Sequence, residues 1–309
     1  MILAGLVLAL VGRVVFSFVD PEIDESSGLV DLGSLMVTTN DSGGDPLVFV
    51  IDPKSGRTVG HTTFTAQVED VEALAPAGGN EVWVADIGDN RELRDSVQVY
   101  RVPVGRGDRS VDAPSYDLVY PDGPHDAESL VVGRNGRLVV ITKGLLGGTA
   151  YAAPRRLDPK GPNRLQAVGS VDVWATDAAL FPDGRHVLVR GYGTAAIYTF
   201  PGFRPVASFD LPRQKQGEGV SIGASGRIRI SSEGRNSAVL QVELPEAVRA
   251  VVEGTPTSSP SSAPASPVVP IDDEEPAPSA ASTGLLVGGI LVLLVIVAIA
   301  VWKTRRRHR

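Results

Sequence analysis

Between residues 20 and 252 the apolar and polar positions follow one pattern written five times. Each copy opens with an acidic residue followed by small and apolar ones: Glu25-Ser-Ser-Gly-Leu29, Glu72-Ala-Leu74, Glu128-Ser-Leu130, Asp177-Ala-Ala-Leu180 and Glu218-Gly-Val220. A turn signal comes next, such as Asn135-Gly136 or Pro182-Asp183-Gly184, and then a β-branched run that ends in a polar residue: Asp41, Asp86, Lys143, Arg190 or Glu233. The offset from opening acid to closing polar residue is 16, 14, 15, 13 and 15 residues. A third run stops each time at proline, which has no N–H for a ladder and so marks a strand end. Those prolines, Pro53, Pro103, Pro154, Pro201 and Pro245, are 50, 51, 47 and 44 residues apart. That spacing is the length of a four-stranded propeller blade.

A fourth strand is expected at 58–64, 116–120, 165–171 and 205–211, but the fifth copy has none. The run Val14-Val-Phe-Ser-Phe-Val19 is suited to supply it from the other end of the chain, closing the ring and covering an open edge. The expected fold is therefore an all-β propeller of about five four-stranded blades over residues 14–252. Six blades require two to be merged in the long second copy. A pair of β-sandwiches does not explain the acid-to-proline register.

Composition agrees with many short strands: 34 Gly and 23 Pro in 309 residues, with 43% hydrophobic residues to fill a core. A net charge of -7 without a basic cluster argues against nucleic acid as a partner. The absence of cysteine excludes a disulfide framework and thiolate metal sites. Residues 284–302 are 19 residues without a charge, about 28 Å as a helix and close to the hydrocarbon thickness of a bilayer. Lys303, Arg305, Arg306, Arg307 and Arg309 follow. The positive-inside rule then puts the tail 303–309 in the cytoplasm and the propeller outside, on a single-pass anchor in the cell membrane. Residues 253–283, rich in Pro, Ser and Ala, read as a disordered stalk. Residues 1–13 are apolar and read as an export signal or a signal-anchor, the cleavage point being open.

The strings Glu25-Ser-Ser-Gly-Leu29, Asn40-Asp-Ser-Gly-Gly44, Asp86-Ile-Gly-Asp-Asn90, Tyr120-Pro-Asp-Gly123 with Asp126-Ala-Glu128, and Gln216-Gly-Glu218 carry a resemblance. They are similar to those of a largely uncharacterised family of secreted or surface-anchored bacterial β-propellers, grouped loosely with phytase-like or esterase-like propellers. The likeness spans roughly residues 18–246. It implies the fold and supplies no catalytic residue.

Innermost strands of a propeller line its channel, so Glu25, Glu72, Glu128, Asp177 and Glu218 are expected near the axis as a candidate metal set. Crowded carboxylates favour a hard cation such as calcium, with further oxygens from Asp70 and Asp126. The plainer reading makes these acids turn caps, or partners of Lys143 and Arg190. Asp41, Asp86, Asp89, Asn90 and Glu233 are the candidate binding residues. Lys143 and Arg190 would suit a small anionic ligand or would tie neighbouring blades together. His125, beside Asp126-Ala-Glu128, is the histidine to watch for a catalytic role. Gly219-Val-Ser221-Ile-Gly223 fits G-x-S-x-G but lies where a strand, not a strand-to-helix elbow, is expected. Arg106-Gly-Asp108 sits in a Gly-rich loop. The expected function is recognition of an envelope polymer, a protein or a small ligand at the cell surface. The alternatives are a calcium-dependent phosphohydrolase or esterase and a purely structural envelope protein.

Overall fold

In a computed structural model, residues 12–41 and 45–254 are described. The expected signal, stalk, membrane segment and basic tail lie outside them, apart from the first residues of β1 and the end of α1. Among the described residues no helix is long and apolar enough to cross a membrane.

The chain enters through β1 (Arg13–Ser17) and then builds five antiparallel sheets in sequence order. Blade 1 is β2 (Ser26–Asp31), β3 (Met36–Asn40), β4 (Leu47–Ile51) and β5 (Thr58–Phe64). Blade 2 is β6 (Val71–Gly78), β7 (Glu81–Asp86) and β8 (Val97–Pro103), then, after β9 (Arg109–Val111), β10 (Ser115–Val119). Blade 3 is β11 (Ala127–Val132), β12 (Leu138–Thr142) and β13 (Gly148–Ala152), then, after β14 (Asn163–Arg164), β15 (Gln166–Val171). Blade 4 is β16 (Asp177–Leu180), β17 (His186–Arg190), β18 (Thr194–Thr199) and β19 (Pro205–Asp210). Blade 5 is β20 (Gly217–Ile222), β21 (Ile228–Ser232) and β22 (Ala238–Val242), with β1 as its outer strand. The innermost strands β2, β6, β11, β16 and β20 touch in that order and β20 meets β2 again, so the ring is closed.

Five blades are therefore formed, and the length of the second copy has a different use from a sixth. β9 leaves blade 2 to pair in parallel with β5 of blade 1, and β14 leaves blade 3 to pair in parallel with β10 of blade 2. Each short hook covers an outer edge that would otherwise offer unpaired N–H and C=O groups. The N-terminal run does close blade 5, with Val14 opposite Leu240 and Phe16 opposite Val239.

The β-branched residues that make these strands also make the core, which lies between blades. Each of the five interfaces holds one buried apolar cluster. Tyr100 and Leu74 of blade 2 meet Val50 of blade 1, and Trp83 and Ala85 meet Leu130 and Val140 of blade 3. Tyr198 of blade 4 meets Ile141 of blade 3, and Leu188 meets Ile230 of blade 5. Phe16, Phe18 and Val239 meet Leu29, Met36 and Phe49 across the seam between blades 5 and 1. After Pro245 the chain turns into α1 (Glu246–Glu253), which buries Val248 and Val252 from successive turns in the cluster between blades 4 and 5. Glu246 in its first turn suits the helix dipole, and Gly254 ends it in the left-handed conformation.

Candidate functional site: the channel mouth

One end of the channel is shaped by β-bulges. Val71 pairs with Asp86 and Ala73 with Ala85, which leaves Glu72 between them without an opposite number. Glu128 is bulged in the same way between Ala127 and Ser129. The register shift between Gly217 and Val220 contains Glu218, and that between Ser26 and Leu29 contains Ser27. A bulge adds a residue to one strand and re-aims its side chain. Glu72, Glu128 and Glu218 thereby come together at the mouth, all buried.

Lys143, just past the end of β12, sits among them. Its Nζ bonds Glu128 Oε1, donates to the Tyr192 hydroxyl at 3.1 Å, and lies 5.7 and 5.4 Å from the Trp174 and Tyr192 ring centres. Burial alone would lower the Lys143 pKa, but Glu128, Tyr192, Glu218 and Glu72 outweigh it and hold the ammonium well above its usual range. The carboxyls move up as well. Burial pushes Glu72 well above the usual range, and Asp41, Glu128 and Asp70 add to that. Burial raises Glu128 to about 8 against the pull of Lys143, and Glu218 to about 7.

These shifts fix a sign for the pH dependence of stability. A carboxyl whose folded pKa is raised binds its proton more tightly when folded, so its contribution is complete below the unfolded value of about 4.5. It is then lost as pH rises through about 7 for Glu218 and about 8 for Glu128. The metal-free protein should therefore be more stable to urea at pH 5 than at pH 8.5. Glu218→Gln, which carries no proton to lose, should flatten that slope. A wild-type midpoint that climbs across this window would contradict the arrangement.

Beside Glu72, one oxygen each from Asp41, Asp70 and Glu72 lie within 4.8 Å of one another, and all three residues are buried. Asp70 is tethered from several sides: its N–H donates to Asp86 Oδ1 at 2.8 Å and its Oδ2 accepts from Asn90 Nδ2 at 3.2 Å. A Cβ on Gly88 would lie 2.6 Å from the Asp70 carboxylate, so the loop over the mouth passes this group only as glycine. Glu72 Oε2 receives the Ser27 hydroxyl at 3.5 Å, while buried Glu72 Oε1 has no hydrogen-bond partner.

The remaining predicted residues are placed as follows. Asp86 is fully buried and also accepts from Arg94 Nη1 at 2.8 Å; Arg94 in turn donates to the Gly88 carbonyl at 2.8 Å. Asp89 accepts the Arg94 N–H at 2.7 Å, and its own N–H donates to Asp126 at 2.9 Å, which ties blade 2 to blade 3. Asp177 is fully buried, with Glu218 adding to the raising of its pKa by burial, and its two oxygens accept the N–H groups of Ala178 at 2.8 Å and Val220 at 2.7 Å. Arg190 is fully buried, with Nη1 bonded to the carbonyls of Gly219 at 2.5 Å and Ser231 at 2.8 Å, and Nη2 to Gln214 at 2.5 Å. Glu25 is half-buried and its carbonyl accepts the Asp41 N–H at 2.8 Å. Glu233, also buried, accepts from Gln216. Sequence reasoning missed Arg94, Trp174 and Tyr192. The signal for Arg94 was a cation four residues beyond Asn90; Trp174 and Tyr192 gave none, because only the fold brings them over Lys143.

Continuous with the mouth through Lys143, a cleft of about 620 Å³ opens over blades 3 and 4. Its walls include Thr142, Thr149, Ser170, Asp126, Asp172 and Tyr198, and Leu146, 96% exposed, stands at its rim. His125 also lines it. Its Nε2 lies 3.0 Å from Asp122 and 3.1 Å from the Tyr151 hydroxyl, with its ring stacked on Tyr151 at 5.4 Å. Ser221 lines a small apolar recess with Leu29, Leu74 and Leu130, towards the far ends of the inner strands.

Fold and mouth together define a five-bladed β-propeller with a buried acidic channel mouth. No family model matches the sequence, and no curated protein matches it. Solved structures are similar to it over about three quarters of its length. A glucose dehydrogenase is 11% identical, with a TM-score of 0.45 over 76% of this chain and all of its own. The PQQ-bound aldose sugar dehydrogenase from Streptomyces coelicolor is 12% identical, with a TM-score of 0.44 over 77% of this chain and 97% of its own. The WD40 β-propeller domain of Doa1 is 11% identical, with a TM-score of 0.42 over 77% of this chain and 99% of its own. Likeness at that level concerns the fold alone, and none of their chemistry carries over to this mouth.

Proposed function

We propose that this chain is a recognition module held outside the cell membrane by residues 284–302. It binds a neutral, hydroxyl-rich envelope polymer in the cleft beside the channel mouth, with calcium among the mouth carboxylates. The observation that carries this reading is the lining of the cleft. Hydroxyls of Thr142, Thr149 and Ser170 and carboxylates of Asp126 and Asp172 can exchange hydrogen bonds with a polyol. A small anionic ligand is disfavoured, because Lys143 already bonds Glu128 and Arg190 already bonds backbone carbonyls. The same two facts weigh against a phosphohydrolase or esterase that would hold its anion on Lys143 and Arg190. Ser221 lies at the other end of the inner strands from the mouth acids.

Ser170 is exposed, so Ser170→Trp should fill the cleft without disturbing the core. The full-length chain in mild detergent should co-sediment with insoluble neutral cell-wall polysaccharide. Ser170→Trp should weaken that binding about tenfold, a loss of about 1.4 kcal/mol, at an unchanged melting temperature. Equal sedimentation of both proteins, or none of either, would retire the polymer. Chelator-sensitive release of phosphate from a phosphoester panel would replace it with the hydrolase.

A further inference from the structure

Three of the mouth carboxylates converge where blade 1 meets blade 2. Asp41 follows β3 of blade 1, Asp70 precedes β6 of blade 2, and Glu72 is the bulged residue within β6. Their nearest oxygens lie within 4.8 Å of one another. A cation held at about 2.3–2.6 Å from each of its oxygens separates them by at most about 5 Å, so the spacing fits one ion. Crowding of acids alone would say little. The second observation is Glu72 itself, only 2% exposed, with one carboxylate oxygen in the group and Oε1 without a hydrogen-bond partner. A buried carboxylate oxygen without a donor is costly unless something positive faces it.

We infer that Asp41, Asp70 and Glu72 form a binding site for one hard divalent cation, calcium foremost, at the rim of the channel mouth where blade 1 meets blade 2. The donors are all carboxylate oxygens, with no imidazole or thiolate in the group, which selects calcium or magnesium over zinc or copper. Lys143 is close enough to oppose the raising of the Glu72 pKa, but its ammonium bonds Glu128 and Tyr192 and makes no hydrogen bond to Glu72 Oε1. Asp70 is pre-positioned by Asp86 and Asn90, so little ordering accompanies binding. Bridging the two blades, the ion would act as a clip across their interface. The inference narrows the cation of the proposed function from the five opening acids to a site that keeps only Glu72 of them. It rests on that reading for the cation and not for the polymer.

The test uses the full-length chain in mild detergent, stripped with chelator and titrated with calcium or magnesium chloride. Calorimetry should show saturable, chelator-reversible binding. The melting temperature should rise by roughly 5–10 °C when free calcium is one hundred times its Kd. Glu72→Gln and Asp41→Asn should each abolish both signals, either one serving if the other fails to fold. Ser170→Trp and the surface change Glu81→Gln should keep them. No heat and no rise with either metal up to about 10 mM, above the range of weak extracellular calcium modules, overturns the site. So does a rise that survives both carboxylate changes. Loss of polymer binding with the calcium response intact retires the proposed function alone, and the reverse retires only this site.

Discussion

Phe18→Ala should lower the melting temperature by roughly 6–20 °C, because truncating a fully buried phenylalanine costs about 3–5 kcal/mol. Phe18 is 0% exposed and packs edge-on against Phe16 at 5.7 Å. Both belong to the cluster that joins Val239 of blade 5 to Met36, Phe49 and Ile51 of blade 1. The backbone here spans the same seam: Phe18 N–H donates to the Ser237 carbonyl at 3.1 Å, and Val19 N–H to the Gly56 carbonyl at 3.0 Å. The segment that completes blade 5 is thus also the piece that locks the last blade to the first. Val14→Ala provides the contrast. Val14 lies in β1, on the same segment four residues earlier, but is 57% exposed, so its truncation should change stability by no more than about 0.5 kcal/mol. Equal effects of the two changes in thermal melts would mean that β1 is not seated in the ring.

The architecture was legible because the repeat is imposed by a strong physical constraint. Every blade must end its third strand where a ladder N–H is no longer needed, which proline marks, and must bury alternate residues against two neighbours. The strand that closes the ring was legible for the same reason, since Phe16 and Phe18 have nowhere apolar to go except an open blade edge. The hooks β9 and β14 were not. Arg109–Val111 and Asn163–Arg164 are too short to carry a period, and their pairing is parallel and with another blade.

At the mouth the sequence aligned five acids, and the fold separates them by bulges that leave no mark in composition. In blades 2, 3 and 5 the bulged residue is the glutamate itself. In blade 1 it is Ser27, two residues after Glu25, whose hydroxyl donates to the Glu72 carbonyl at 2.6 Å. In blade 4 the inner pair β16–β17 has no bulge: Asp177 pairs directly with Arg190, and Thr176 just before it donates to the Glu218 carbonyl at 3.1 Å. Two hydroxyls therefore stand towards the next blade where the sequence suggested two further carboxylates. Asp177, one step along, serves the backbone of β20.

Arg190→Met should cost about 3–5 kcal/mol, the range for breaking a buried charged group out of its network. The substitution keeps an unbranched apolar stem of four atoms and removes every donor. The Gly219 and Ser231 carbonyls would each lose a bond, and Gln214 would lose its partner. Buried Asp177 would also lose the positive charge that opposes the raising of its pKa by burial. Burial lowers Arg190 itself to about 10, against Glu218 and Asp177, so the guanidinium stays charged at neutral pH. Arg190→Lys keeps that charge without the planar fork that reaches two carbonyls and an amide at once, and should fall between wild type and Met. Urea unfolding at pH 7, where the wild-type group is protonated, reads the series directly, with m unchanged and the midpoint ordered Arg, Lys, Met. A surface cation reserved for an anionic ligand would give a different result: a wild-type midpoint in both variants and a loss seen only in binding. That outcome would return Arg190 to the ligand site and reopen the case for an anion at the mouth.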